Sequence, residues 1–157
     1  MSRPDSDPNS GSMLGALLRM AHSAMVEEYT RWLATSPYKD IQPAHAAAIQ
    51  PLWQQPDGAR LTELAQTARI TKQSMGALID SLEQGGYVER VDDPDDGRAW
   101  RVRLTARGRN YARDARAFAR DVENRLAARI GARRLEDLRG ALQMLVESTR
   151  AQALRRN

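Results

Sequence analysis

Between Leu61 and Thr105 the spacing of apolar residues changes period, and that change restricts the fold more than any other feature of the chain. LTELAQTARI (61–70) reads as a short helix, with Thr62 expected to cap it and Glu63 favourable to its dipole. TKQSMGALIDSLEQGG (71–86) follows after a tight turn. Thr71 is a good N-cap there, Met75, Leu78, Ile79 and Leu82 form one apolar stripe, and Gly85-Gly86 stops the helix. YVERVDD (87–93) and AWRVRLT (99–105) then alternate with period two, and PDDGR (94–98) joins them as a hairpin loop. Two short helices across a tight turn, followed by a two-stranded ribbon, make a winged helix–turn–helix. Its second helix has the dimensions to enter a DNA major groove, with the hairpin reaching the backbone or the adjacent minor groove.

The flanking segments are helical. Residues 1–12, MSRPDSDPNSGS, lack apolar periodicity and are expected to be a disordered tail. From Met13 to about Ala34, Leu14, Leu18, Ala21, Met25, Tyr29 and Trp32 recur at helical spacing, and Ser36-Pro37 ends the run. A second helix is predicted from Pro43 to Trp53 with Ala47, Ile49, Leu52 and Trp53 buried, closed by the turn Gln55-Pro56-Asp57-Gly58. Thr105 caps a long helix with a seam of Tyr111, Ala115, Phe118, Val122 and Leu126, which Gly131 breaks. A last helix carries Leu135, Leu138, Leu142, Leu145 and Leu154. The fold class expected is mainly α with a small β-hairpin wing: a winged helix–turn–helix (55–105) on a helical lobe (13–54 and 106–157).

Composition narrows the function. The 157 residues include no Cys and only His22 and His45, so disulfides, thiolate chemistry and a His-rich metal site are excluded. No apolar run approaches the roughly 18 residues of a membrane span, and the expected location is the cytoplasm. Of 24 basic residues 22 are Arg, Lys39 and Lys72 being the lysines, and the net charge of +4 suits an anionic partner. The acidic run Asp92-Asp93-Pro94-Asp95-Asp96-Gly97 fails as a calcium loop. Registering Gly97 with that loop's glycine puts Pro94 at a ligand position and Arg103 where a bidentate Glu belongs. No nucleophile elbow or phosphate-cradling Gly loop is present, so neither an enzyme nor a cofactor is expected.

At this point the residues resemble a family. Leu61-Thr62-x-Leu64-Ala65, Leu82-x-x-x-Gly86-x-Val88-x-Arg90, Asp93-Pro94-x-Asp96-x-Arg98 and Leu104-Thr105-x-x-Gly108 resemble the DNA-binding core of MarR-type transcriptional regulators. The flanking helices also occur in that family's order. The resemblance implies a homodimer on a near-palindromic DNA operator, usually as a repressor. Turned outward on the reading helix are Lys72, Gln73, Gly76, Ala77 and Asp80, with Thr71 and Ser74 at its first turn. Lys72 suits a guanine edge or a phosphate, and Gln73 suits adenine. Thr71 and Ser74 suit phosphate. Arg98 in the hairpin loop is the minor-groove candidate, its guanidinium oriented by Asp96 as the family motif implies. Gly76 and Ala77 depart from the larger polar or basic side chains common there.

Many such regulators respond to small aromatic or phenolic compounds. His22, Met25, Tyr29 and Trp32 on the first helix, with His45 and Trp53 on the second, could line such a pocket. The same stripe also reads as lobe or dimer core, which helical spacing alone produces. Two other functions share these features: a winged-helix module that binds protein, and a DNA-binding regulator with no effector.

Overall fold

A computed structural model describes residues 10–154, with side chains for 13–148. The elements are helix α1 (Ser10–Thr35), a 3-10 turn (Pro43–His45), α2 (Ala46–Leu52), β1 (Ala59–Arg60), α3 (Leu61–Ala68), α4 (Lys72–Gln84), β2 (Val88–Asp93), β3 (Asp96–Leu104), α5 (Ala106–Ile130) and α6 (Ala132–Leu154). The expected class stands, mostly helical with a small sheet. The chain forms two compact units, one ending at Ala112 and the other starting at Arg113. Among the described residues no helix is long and apolar enough to cross a membrane.

In the first unit α2 packs on α3, α4 and β3, and the core gathers Leu33, Ile49, Leu52, Leu64, Met75, Ile79, Leu82, Tyr87, Val88, Val102 and Tyr111. Local chemistry sets the element ends. The Thr71 hydroxyl accepts the Ser74 N–H at 3.0 Å, and the Thr105 hydroxyl accepts the Gly108 N–H at 3.1 Å, so both predicted caps form. Gly86 (φ 72°) and Gly131 (φ 93°) follow the ends of α4 and α5 in the left-handed region, as expected of helix stops.

Several expectations need correction. Helix α1 opens at Ser10 rather than Met13; residues 1–9 of the expected tail lie outside the described residues. Its stripe is buried only toward the end: Leu14 and Met25 remain more than half exposed and Ala21 is exposed, whereas Tyr29 and Trp32 are half-buried. The second helix begins as a 3-10 turn, which rotates Ala48 rather than Ala47 into the core and leaves Trp53 half-buried. Thr62 does not cap α3. The helix starts at Leu61 and its cap lies two residues before Thr62, with Arg60 extended there and its N–H donated to Glu63 Oε2 at 2.9 Å.

A third strand was not anticipated. β1 pairs antiparallel with β3, Ala59 opposite Val102 and Arg60 opposite Arg101, giving the order β1-β3-β2. The hairpin tip is also shorter than expected: only Pro94 and Asp95 turn, and β3 already begins at Asp96. Asp92 pairs with Trp100 but Asp93 with Asp96, so Gly97, Arg98 and Ala99 bulge out of the ladder.

In the second unit, Val122 of α5 is buried, and Arg139 of α6 donates to Glu123 of α5 at 3.0 Å. The leucines that α6 carries stay open, with Leu138 48%, Leu142 37% and Leu145 42% exposed. The Leu154 side chain lies outside the described residues.

Candidate nucleic-acid interface

Helix α4 is held by one face and offers the other. Met75, Ile79 and Leu82 are buried while Lys72, Gln73, Ala77 and Asp80 are exposed, as the apolar period required. The turn before it is closed by Arg69 at φ 55°, a left-handed residue where glycine is common. Thr71 and Ser74 share a hydroxyl–hydroxyl bond of 2.8 Å besides the cap, so both are engaged at the first turn. A Cβ built on Gly76 meets nothing within 4 Å, and the helix surface there is backbone and open space. Of the six reading-helix candidates, Thr71, Lys72, Gln73, Ser74 and Ala77 are exposed and Gly76 is half-buried.

The wing presents Arg98 differently from expectation. Arg98 stands on the β3 bulge rather than in the hairpin loop, and it is exposed. Asp96 Oδ1 accepts the backbone N–H of Arg98 at 3.1 Å, so Asp96 shapes the main chain where the family motif implied a grip on the guanidinium.

The acid that organises the wing is Asp93, which sequence reasoning did not separate from its neighbours. Its side chain is fully buried, with Arg60 Nε at 2.6 Å and Arg101 Nε at 3.1 Å. Its other oxygen accepts the Asp95 N–H at 2.9 Å, which closes the Pro94-Asp95 turn. The Arg60 bond, then the Asp95 N–H and Arg101, hold this carboxyl well below the usual carboxylate range against the opposing effect of burial. The wing is thus bolted to the start of α3. The signal available in sequence was the loss of alternation at Asp92-Asp93.

The candidates for a ligand pocket do not share one setting. His22 and Met25 are exposed on α1. Tyr29 and Trp32 are stacked with centroids 5.8 Å apart and belong to an aromatic cluster with Tyr38, Tyr87 and Tyr111. The Tyr29 and Tyr111 hydroxyls touch there, and burial pushes both phenols up from their ordinary value. His45 is buried at the 3-10 turn, where Nδ1 accepts the Gln42 N–H at 3.1 Å; burial lowers its pKa. Trp53 lines a separate cleft of about 460 Å³ with Leu52, Gln54, Gln55, Pro56, Leu104 and Arg109, which contains none of the other five.

A family model described as "MarR family" matches residues 39–99, from the end of α1 through the wing bulge. The HTH-type transcriptional repressor Rv2887 of Mycobacterium tuberculosis is 32% identical over 117 residues, covering 67% of this chain and 84% of that protein. The HTH-type transcriptional regulator BilQ of Clostridioides difficile is 27% identical over 66 residues, covering 42% and 45%. In fold, the chain is similar to FabT of Streptococcus pneumoniae in complex with DNA (TM-score 0.78, 18% identity, 90% of this chain and 98% of that one). It is also similar to a MarR transcriptional regulator from Methanosarcina mazei (TM-score 0.76, 20% identity, 88% and 96%). With the helix–turn–helix, the bulged wing and a repressor relative matched over most of its length, the chain belongs to the MarR family and is a DNA-binding transcriptional regulator of that type.

Proposed function

We propose that this protein acts in the cytoplasm as a homodimeric repressor that occupies a near-palindromic operator. The observation that carries the reading is the exposed polar face of α4 together with an exposed Arg98 on the wing bulge. Lys72 and Gln73 are the side chains that meet base edges in the major groove, and Thr71 and Ser74 meet phosphate at the helix start. Gly76 and Ala77 let the backbone come close. Arg98 enters the minor groove, with Asp96 holding the bulge that carries it. Residues 55–105 form the DNA-binding lobe in this reading, and 13–54 with 106–157 the dimerisation lobe.

Exposed apolar surface supports the dimer. Met13, Leu14, Leu17 and Met20 of α1 are each more than half exposed, and Leu138, Leu142, Leu145 and Val146 of α6 at least 37% exposed. A two-fold partner would cover such faces and set two reading helices about one DNA turn apart. Sedimentation equilibrium should give twice the 17.6 kDa chain mass; a monomer at micromolar concentration would refute it. The Trp53 cleft, with an indole wall and the Arg109 guanidinium, suits a small aromatic or phenolic acid whose binding releases the operator.

The deciding experiment selects duplexes from random DNA with the purified protein and titrates the winner at several salt concentrations. Lys72→Ala and Gln73→Ala should change the preferred sequence. Arg98→Ala should weaken all sequences alike and lower the salt slope by about one. Selection of no duplex would refute the reading.

A further inference from the structure

We infer that Arg90, on the first wing strand, is a positioning residue that pairs with two carboxylates on the DNA-facing side of α4 and offsets their excess negative charge. The inference rests on the DNA-binding reading of that helix. Lys72, Gly76, Asp80 and Glu83 fall within one arc of about 80° around the helix axis. The strip offered to DNA therefore continues into two acids one and two turns beyond Gly76. Uncompensated, the arc carries one positive and two negative charges, and a phosphate backbone laid along it would be repelled.

Arg90 is placed to cancel this. One amino group of its guanidinium bonds Asp80 Oδ1 at 2.5 Å and the other bonds Glu83 Oε2. The plane is backed by the Trp100 ring of β3, with Cζ 4.7 Å from the ring centroid. Register explains the grouping: Arg90 opposes Val102, so Arg90 and Trp100 sit on the sheet face whose other members, Val88, Val102 and Leu104, are buried. At this end of the ladder the face has passed the apolar core and overhangs α4, and a planar cation meets both acids there. Only 30% of the Arg90 side chain is exposed, and it spans three elements: the reading helix and both wing strands. An arginine fits where a lysine does not, because two acids and a ring are engaged at once. With Arg90 the arc as a whole carries no net charge: a single negative charge remains at its far end and is balanced by Lys72 at the near end.

The test uses the full-length protein and a duplex enriched by it from random DNA. Arg90→Gln should weaken binding about tenfold near 0.1 M salt, and the ratio to wild type should shrink as salt rises, because the cause is exposed-charge repulsion. Adding Asp80→Asn and Glu83→Gln to Arg90→Gln should restore affinity, whereas Arg90→Lys should keep only part of it. Should Arg90→Gln fail to fold by circular dichroism, the double Asp80→Asn/Glu83→Gln variant decides. It leaves Arg90 facing phosphate with no acid to hold and should bind several-fold tighter than wild type, whereas unchanged or weaker binding overturns the inference. Equal affinity in Arg90→Gln, or a loss the two neutralisations do not restore, overturns it too while the DNA-binding reading stands. If wild type enriches no duplex, both fall.

Discussion

Replacing Gly108 with alanine should destabilise the fold although Gly108 sits in a helix, where alanine is ordinarily better by about 1 kcal/mol. A Cβ at this position would lie 2.0 Å from the Tyr87 carbonyl oxygen and 3.0 Å from its carbon. Both are main-chain atoms and cannot swing aside. Tyr87 is pinned by its own N–H to the Leu82 carbonyl at 2.8 Å, and its carbonyl accepts the Thr105 N–H at 3.0 Å. Carbon and oxygen sit about 3.3 Å apart at their closest comfortable approach, so α5 would have to retreat by more than about 1 Å. That movement gives up the Thr105 hydrogen bond, about 1 kcal/mol, and adds overpacking strain of about 1–3 kcal/mol. Set against the helix-propensity gain, the net loss is about 1–3 kcal/mol. Gly76→Ala is the matched control, since its Cβ meets nothing and the fold should gain up to about 1 kcal/mol. Urea unfolding monitored by circular dichroism gives both values from midpoints at constant m. A Gly108→Ala protein as stable as wild type would show that Gly108 is not a contact point between α5 and the Tyr87 backbone in the turn between α4 and β2. The Gly76→Ala protein should meanwhile bind DNA more weakly, as its new methyl stands on the surface offered to the duplex.

Thr71→Ala should cost about 1 kcal/mol in the same urea assay through loss of the Ser74 N–H acceptor; an unchanged midpoint would place the cap elsewhere. Asp93 is held below its ordinary value of 3.8, so its contribution to stability is complete above that pH and is lost as pH falls below it. Wild type should therefore lose melting temperature more steeply than Asp93→Asn between about pH 4 and pH 2.5, and parallel curves would refute the Arg60–Asp93–Arg101 clamp. Tyr87 is pushed up to about 12, first by burial and then by its bond to Asp40. A group raised in the folded state stabilises fully below 10.0 and loses that contribution as pH climbs, so Tyr87→Phe should flatten the alkaline fall in stability and remove one late phenolate from the absorbance titration.

What was legible in the sequence is what local chemistry decides. Thr71, Gly86, Thr105 and Gly131 mark ends because a hydroxyl or a left-handed backbone acts within a few residues of itself. The buried stripe of α4 follows from period alone. β1 was not legible, since Ala59 and Arg60 become a strand only by pairing with Val102 and Arg101, far along the chain. Asp93 could not be told from Asp92, Asp95 or Asp96 because the bulge that inverts the alternation depends on strand register. The same register moved Arg98 from loop to strand. Of the ligand candidates, Tyr29 and Trp32 were separated from Trp53 by packing that helical spacing does not encode. The Leu14–Met25 stretch of α1 has the right period and yet lies largely open, because period fixes which residues share a face and not what covers it.

Because Gly97, Arg98 and Ala99 stand outside the ladder, the reach of the wing is uncoupled from the folding of the sheet. A residue gained or lost within this bulge would lengthen or shorten the arm that carries Arg98 without moving Val102 from its places opposite Ala59 and Arg90. On the DNA-binding reading proposed above, a change in the span Arg98 must cross can be followed by insertion and deletion at one spot, while the strand pairs on either side of it keep their sequence.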